Sequence, residues 1–151
     1  MPSTIASQVY TMIALAIVGT LLVVTLNSYT TTLKATSEIE QLKNTVSQLA
    51  AEASKIVAIA VTANSTTKVY VQLPTTIGYK QYWLRIHNDS SNSWLEGSFG
   101  NKVMETSVYR LYLPKGTSTS GYFIGGYGPA VLESYMNGST PQVNLSYMGG
   151  R

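Results

Sequence analysis

The first charged side chain in this sequence is Lys34. Ahead of it, Val9 to Leu26 (VYTMIALAIVGTLLVVTL) is a run of eighteen residues without a charge, which Ile5 and Ala6 extend toward the amino terminus. That length meets the criterion for a helix able to cross the hydrocarbon core of a bilayer. Pro2 suits a first helical position, where its missing N–H costs nothing. Neither Gly nor Pro interrupts the chain from Thr20 to Leu73. One helix from about Pro2 to about Val61 is therefore expected, roughly 90 Å long at 1.5 Å per residue. The rest of the chain is too short to cover such a helix. Its first half needs another apolar environment, which is either lipid or further copies of itself.

Beyond Lys34 the pattern changes. Ile39, Leu42, Val46, Leu49, Ala53, Ile56 and Ala60 recur at alternating spacings of three and four, with Glu40, Lys43, Glu52 and Lys55 between them. That is a heptad-like stripe, which predicts one buried side and one solvated side. The stripe is expected to pack partly on the chain's own carboxy-terminal domain.

Composition divides the chain in the same way. Eleven of the twelve glycines follow Ile77, four of the five prolines begin at Pro74, and nine of the eleven tyrosines lie at or beyond Tyr70. An alanine-rich half almost without glycine favours helix, whereas a tyrosine-rich half punctuated by Gly and Pro favours strands and turns. Strands are expected at Lys68–Leu73, Tyr79–Ile86, Ser93–Phe99, about Val103–Leu113, Gly121–Ile124, Val131–Met136 and Val143–Tyr147. In the second of these, Tyr82, Leu84 and Ile86 alternate with Gln81, Trp83 and Arg85 on the opposite face. Turns are expected at His87–Asn92, Pro114-Lys115-Gly116 and Asn137-Gly138. The fold class is α+β, a long amino-terminal helix over residues 1–62 followed by a small antiparallel β-sandwich over 63–151 as the outer globular domain.

No catalytic constellation emerges. The chain has no cysteine and one histidine, which removes a disulfide framework, a thiolate or multi-histidine metal site and a cysteine nucleophile. His87 reads as a surface turn residue. The acids Glu38, Glu40, Glu52, Asp89, Glu96, Glu105 and Glu133 form no ligand-spaced set. Gly125-Gly126-Tyr127-Gly128 lacks a phosphate-loop lysine and dinucleotide-fold spacing, so it reads as a loop. Trp83 and Trp94 read as packing residues ahead of a sugar platform. The net charge of +3 is spread along the chain, which gives no basis for a nucleic-acid partner. Neither enzyme activity nor a cofactor is expected.

Four sequons lie beyond the long helix, at Asn64-Ser65-Thr66, Asn88-Asp89-Ser90, Asn137-Gly138-Ser139 and Asn144-Leu145-Ser146. Their placement fits N-glycosylation of a domain held outside the cell. A cleaved secretory signal has a basic start and a shorter apolar stretch. Here the stretch is longer and its helical pattern continues past it. A membrane anchor with an external carboxy-terminal domain is expected to carry Lys or Arg on its amino-terminal flank. None precedes Lys34, so either the β domain faces the cytoplasm or a short basic leader has been removed and Met1 is a mature terminus. The removed leader is the favoured reading.

The apolar helix, its heptad-like continuation and the small β domain together resemble an archaeal type IV pilin. The segment Leu73-Pro74-Thr75-Thr76-Ile77-Gly78-Tyr79-Lys80-Gln81-Tyr82-Trp83-Leu84-Arg85-Ile86 is similar to the "L-P-x-x-I-G, then Tyr and alternating apolar" stretch of that group. Unlike bacterial pilins, the chain has Ile5 in place of glutamate at the fifth position and no carboxy-terminal cysteine pair. Archaellum filament proteins share the layout. The resemblance implies a lollipop-shaped subunit of an extracellular filament that serves surface adhesion. It also implies membrane insertion before assembly, and partners in a prepilin peptidase and an assembly ATPase machine. The filament core would be packed by Ile5, Val9, Met12, Ile13, Leu15, Ile17, Val18, Leu21, Leu22, Val24 and Leu26. The competing class is a membrane-anchored, stator-like accessory protein whose helix stays in lipid.

Overall fold

The computed structural model describes residues 2–148, so Met1, the question of its being a mature terminus, and the last three residues lie outside it. Helix α1 runs unbroken over Pro2–Ala63. It stops at Asn64, which takes the left-handed conformation (φ 46°) common just past a helix end, where asparagine is tolerated better than most side chains. Seven strands follow: β1 Thr67–Val71, β2 Tyr82–Asn88, β3 Ser93–Phe99, β4 Tyr109–Tyr112, β5 Ser118–Ile124, β6 Ala130–Asn137 and β7 Thr140–Tyr147. The α+β order expected from composition is present.

The strands join in one sheet of order β1-β6-β7-β5-β2-β3-β4. Every pairing is antiparallel except β5 with β7. β5 is shared along its length: Ser118–Gly121 pairs with β7, and Tyr122–Ile124 pairs with β2. The core face is covered by the second half of α1, and among the described residues the strands form one sheet where a sandwich of two was expected. Leu42, Val46, Leu49, Ala53 and Ile56 share one buried cluster with Leu84, Ile86, Leu95, Phe123, Leu132 and Leu145. Helix on sheet is a complete two-layer solution, because each element hides the apolar side of the other.

The chain divides into two compact units, Met1–Ser37 and Glu38–Arg151. The secondary-structure boundary near residue 63 is therefore not the packing boundary. The second half of the helix belongs with the sheet.

Three local expectations need correction. His87 is not in a turn but in β2, opposite Trp94, because the β2–β3 register carries pairing through Asn88 and Ser93. The turn is Asp89–Asn92, closed by the Asp89 N–H on the Asn92 carbonyl at 2.9 Å. β2 begins at Tyr82 instead of Tyr79, since Ile77 and Lys80 exchange both backbone hydrogen bonds (3.0 and 3.1 Å) in a tight turn. β4 is limited to Tyr109–Tyr112, because its partner residues on β3 run only from Trp94 to Gly97. Trp83 lies opposite the core with Arg85 and is fully buried there, as a packing residue should be, with the Arg85 guanidinium 5.7 Å from its ring centre.

The segment that carries the pilin resemblance has definite structural duties. Ile77 enters the core. Gly78 occupies the first central position of the tight turn with φ 60°, a type II′ requirement that only glycine meets at no cost. Any Cβ there would lie 2.6 Å from a Glu38 carboxylate oxygen. Tyr82 donates its buried hydroxyl to the Pro74 carbonyl at 2.6 Å. Burial pushes that phenol far above its ordinary range, so it remains a donor at any physiological pH.

Candidate functional site

The first candidate is the apolar stretch of α1. Ile5, Val9, Met12, Ile13, Leu15, Ile17, Val18, Leu21, Leu22, Val24 and Leu26 are each 50–71% exposed. They are not one stripe. Adjacent positions such as Met12 and Ile13, Ile17 and Val18, and Leu21 and Leu22 point about 100° apart, so the stretch is apolar around its whole circumference. A helix apolar all round is built to be surrounded. It is long and apolar enough to cross a membrane, and none of that window is buried within the chain.

The polar groups in this region are arranged to suit such surroundings. The hydroxyls of Thr11, Thr20 and Thr25 donate to the carbonyls of Ser7, Ala16 and Leu21, four residues back, at 2.8 Å each. Thr30, Thr31, Thr32 and Thr36 repeat the arrangement at 2.8–3.0 Å. A hydroxyl satisfied by its own helix leaves its methyl outward and demands no water, which is how threonine enters an apolar medium cheaply. The back-bonding explains why Thr11, Thr20 and Thr25 do not spoil the apolar segment.

The stripe that follows faces inward. Leu42, Val46, Leu49, Ala53, Ile56 and Ala60 are all buried. Ile39 is not; it is 38% exposed. Its neighbour Glu38 turns toward the sheet instead, where its carboxylate meets Lys80 Nζ at 2.6 Å. The buried row thus starts at Leu42, Thr45 and Leu49, with Glu38 half-buried ahead of it, and it is widened by Ala50 and Val57, which sequence reasoning did not include. A heptad count starting from Ile39 could not see that an acid would be held by a lysine at the stripe's first turn.

On the far face of the sheet lies a cluster that sequence reasoning missed. Glu96, in the middle of β3, is fully buried. One carboxylate oxygen accepts from Arg85 Nε at 2.8 Å and also from its terminal nitrogen. The other oxygen accepts from Arg110 at 3.1 Å and from the Trp94 indole N–H at 3.2 Å. Burial pushes this carboxyl up, but the hydrogen bonds and charge of Arg85, with Trp94 and Arg110, more than reverse it, so it ends below its ordinary value. The Arg110 guanidinium lies 4.6 Å over the Trp94 ring, and His87 meets that ring edge-on at 5.3 Å. The cluster explains how a sheet face without a covering layer stays closed: long cations roof a carboxylate and two indoles. Its sequence signal was the alternation of Trp and a charge on β2 and β3, Trp83-x-Arg85 and Trp94-x-Glu96.

The sequons separate into two kinds. Asn64 and Asn137 are exposed, the latter beside the two-residue β6–β7 turn. Asn88 and Asn144 are half-buried with side-chain carbonyls engaged, by the Thr119 N–H at 3.3 Å and the Ser120 hydroxyl at 3.4 Å. Among the described residues, no three His, Asp or Glu side chains gather as a metal site. No family model, no curated protein and no solved structure matches this chain.

Proposed function

We propose that this protein is the structural subunit of an extracellular filament of the archaeal type IV pilus kind, polymerising through Ile5–Leu26 and serving surface adhesion. The observation that carries this reading is the helix itself. It is one unbroken element whose second half is buried by its own chain and whose first half is apolar on every side with nothing of its own chain against it. Before assembly that first half sits in lipid. During assembly it moves from lipid to the company of identical helices, so its apolar surface never has to meet water. Each buried Leu, Ile, Val or Met there contributes about 1.5–3 kcal/mol. Eleven such side chains amount to tens of kcal/mol in all, ample to make escape of a subunit into water negligible.

A stator-like protein anchored in the membrane is the competing reading, since the back-bonded threonines suit lipid and a helix bundle equally. An archaellum-type motility filament would use the same helix. The discriminating experiment is electron microscopy of sheared cell-surface material labelled with antibody against residues 64–148. Continuous label along thin filaments is expected, and label confined to membrane fragments would mean an anchor. Leu15→Lys is expected to abolish filaments while leaving the sheet unit folded. Filaments of normal yield from that variant would sink the core-packing claim.

A further inference from the structure

Two of the four sequons are presented as acceptors for a glycan, and the filament reading makes no use of them. Asn64-Ser65-Thr66 connects α1 to β1, belongs to neither element, and is exposed at all three residues. Asn64 itself, at φ 46°, turns the chain off the helix path. Asn137-Gly138-Ser139 is the end of β6 and the turn into β7, and all three of its residues are exposed as well. Gly138 has φ 63°, and a Cβ placed on it would meet nothing within 4 Å. In both stretches the asparagine and the hydroxyl residue two places on, which together define an acceptor, lie open to solvent.

The other two sequons are committed to the sheet. Asn144 lies inside β7, between Glu133 of β6 and Ser120 of β5, so ladders hold its backbone on both sides. The middle residue of that sequon, Leu145, is 1% exposed and part of the core. Asn88 pairs with Ser93 at the end of the β2–β3 ladder, and its side-chain carbonyl accepts the Thr119 N–H at 3.3 Å. A transferase takes its acceptor as a short stretch of chain lifted into its own site. Exposed loops open at almost no cost, whereas a central strand opens at a cost approaching that of global unfolding. Asn144 is offered only if β7 leaves the sheet and Leu145 leaves the core. Asn88 is offered only if the end of the β2–β3 ladder and the Thr119 bond both break.

The two open sequons also share a place in the fold. β1 and β6 run antiparallel with Thr67 opposite Ser134, so Asn64, just ahead of Thr67, and Asn137, just beyond Ser134, stand at the same end of this strand pair. β1 is an outer strand of the sheet, which leaves room beside that corner for a bulky group.

We propose that the folded chain carries N-linked glycans on Asn64 and Asn137 and none on Asn88 or Asn144. The donor is a glycan joined through its anomeric carbon to a polyprenyl phosphate. The asparagine Nδ2 attacks that carbon, and the carbon–oxygen bond to the carrier breaks with its electron pair going to the phosphate. The displaced amide proton passes to the transferase. This rests on the extracellular placement in the proposed function and not on polymerisation, because every residue invoked lies outside Met1–Ser37.

The test uses the full chain isolated from its own cells. Its tryptic peptides are sequenced by electron-transfer fragmentation, which leaves sugars on the asparagine that carries them. Asn64 falls in Ile56–Lys68 and Asn88 in Ile86–Lys102, while Asn137 and Asn144 share the carboxy-terminal peptide and are told apart by its fragments. Glycan on most copies of Asn64 and Asn137 is expected, with Asn88 and Asn144 bare. Thr66→Ala and Ser139→Ala, expressed in the same cells, should each lower the intact mass by one glycan, and the double variant should have the mass of the bare chain. Bare Asn64 or bare Asn137 in the native chain would overturn the proposal. So would glycan on Asn88 or Asn144 at an occupancy comparable to the other two, which would mean that transfer precedes folding. Filaments built from bare subunits would leave the assembly reading intact and remove only this one. A chain glycosylated at Asn64 and Asn137 alone but confined to membrane fragments would remove the filament and leave this inference standing.

Discussion

The two halves of α1 are made of similar residues and end in opposite situations. Leu15 and Leu49 are both helical leucines; the first is 66% exposed and the second is fully buried. The difference lies in what surrounds each in the sequence. Around Leu49, polar positions alternate with apolar ones so that one side is dry and the other solvated. Around Leu15 no polar side exists. An amphipathic helix has its partner within reach of the same chain, whereas a helix apolar all round awaits a partner the chain does not supply.

That contrast is breakable. The largest effect is expected from Leu49→Ala, which should cost the sheet unit about 2–5 kcal/mol, the usual range for emptying a packed leucine site. Leu15→Ala should leave the same unfolding transition in place and weaken assembly alone. Chemical denaturation of both variants, followed by sedimentation, checks this. If Leu15→Ala lowered the denaturation midpoint as much as Leu49→Ala, the first half of the helix would have a partner inside the chain and the contrast would fail.

A smaller effect should sharpen it by pH. The first 33 residues contain no carboxylate side chain, so acid sensitivity belongs to the sheet unit. Glu96 is the group to follow, because its folded-state pKa is depressed. A depressed carboxyl stabilises the fold fully above its ordinary value of 4.5, and the contribution is lost as pH falls through the lower folded value. Glu96→Gln should reduce stability at neutral pH by about 1.5–3 kcal/mol, the scale of hydrogen bonds to a charged group, and should flatten the acid limb of the stability profile. An unchanged limb in that variant would assign the acid sensitivity to another group.

The smallest effect concerns the turn where the helix changes character. The Glu38–Lys80 pair has a half-exposed lysine, so Lys80→Ala should cost less than about 1 kcal/mol and should fade with added salt. A salt-insensitive loss would mean that the lysine stem, 5.4 Å from the Phe99 ring at its nitrogen, matters through packing instead of charge.

Much of this architecture is legible in the residues. The end of the helix at Ala63 follows from the polar run Asn64–Thr67, and β3 was placed at its observed bounds from alternation and flanking turns. All seven strands were anticipated, because each apolar run is bracketed by Gly, Pro or Asn. Their bounds slipped where pairing overruled local pattern: at His87, carried into β2 by the β3 register, and at Val103–Ser107, outside the β3–β4 ladder, which begins with the Val108 N–H on the Gly97 carbonyl at 3.0 Å.

The sequence by itself determined which stretches are helix and strand, and which half of the helix can be covered by its own chain. Those properties depend on neighbours within a few turns, through periodicity, turn residues and the run length of apolar side chains. Only the tertiary structure decided which sheet face the helix covers, how β5 divides between β7 and β2, and that Glu96 sits buried between Arg85 and Arg110. It also brought Asn64 and Asn137 to one end of the β1–β6 pair. Each of these joins residues far apart along the chain, and strand order, which periodicity does not encode, sets their distances.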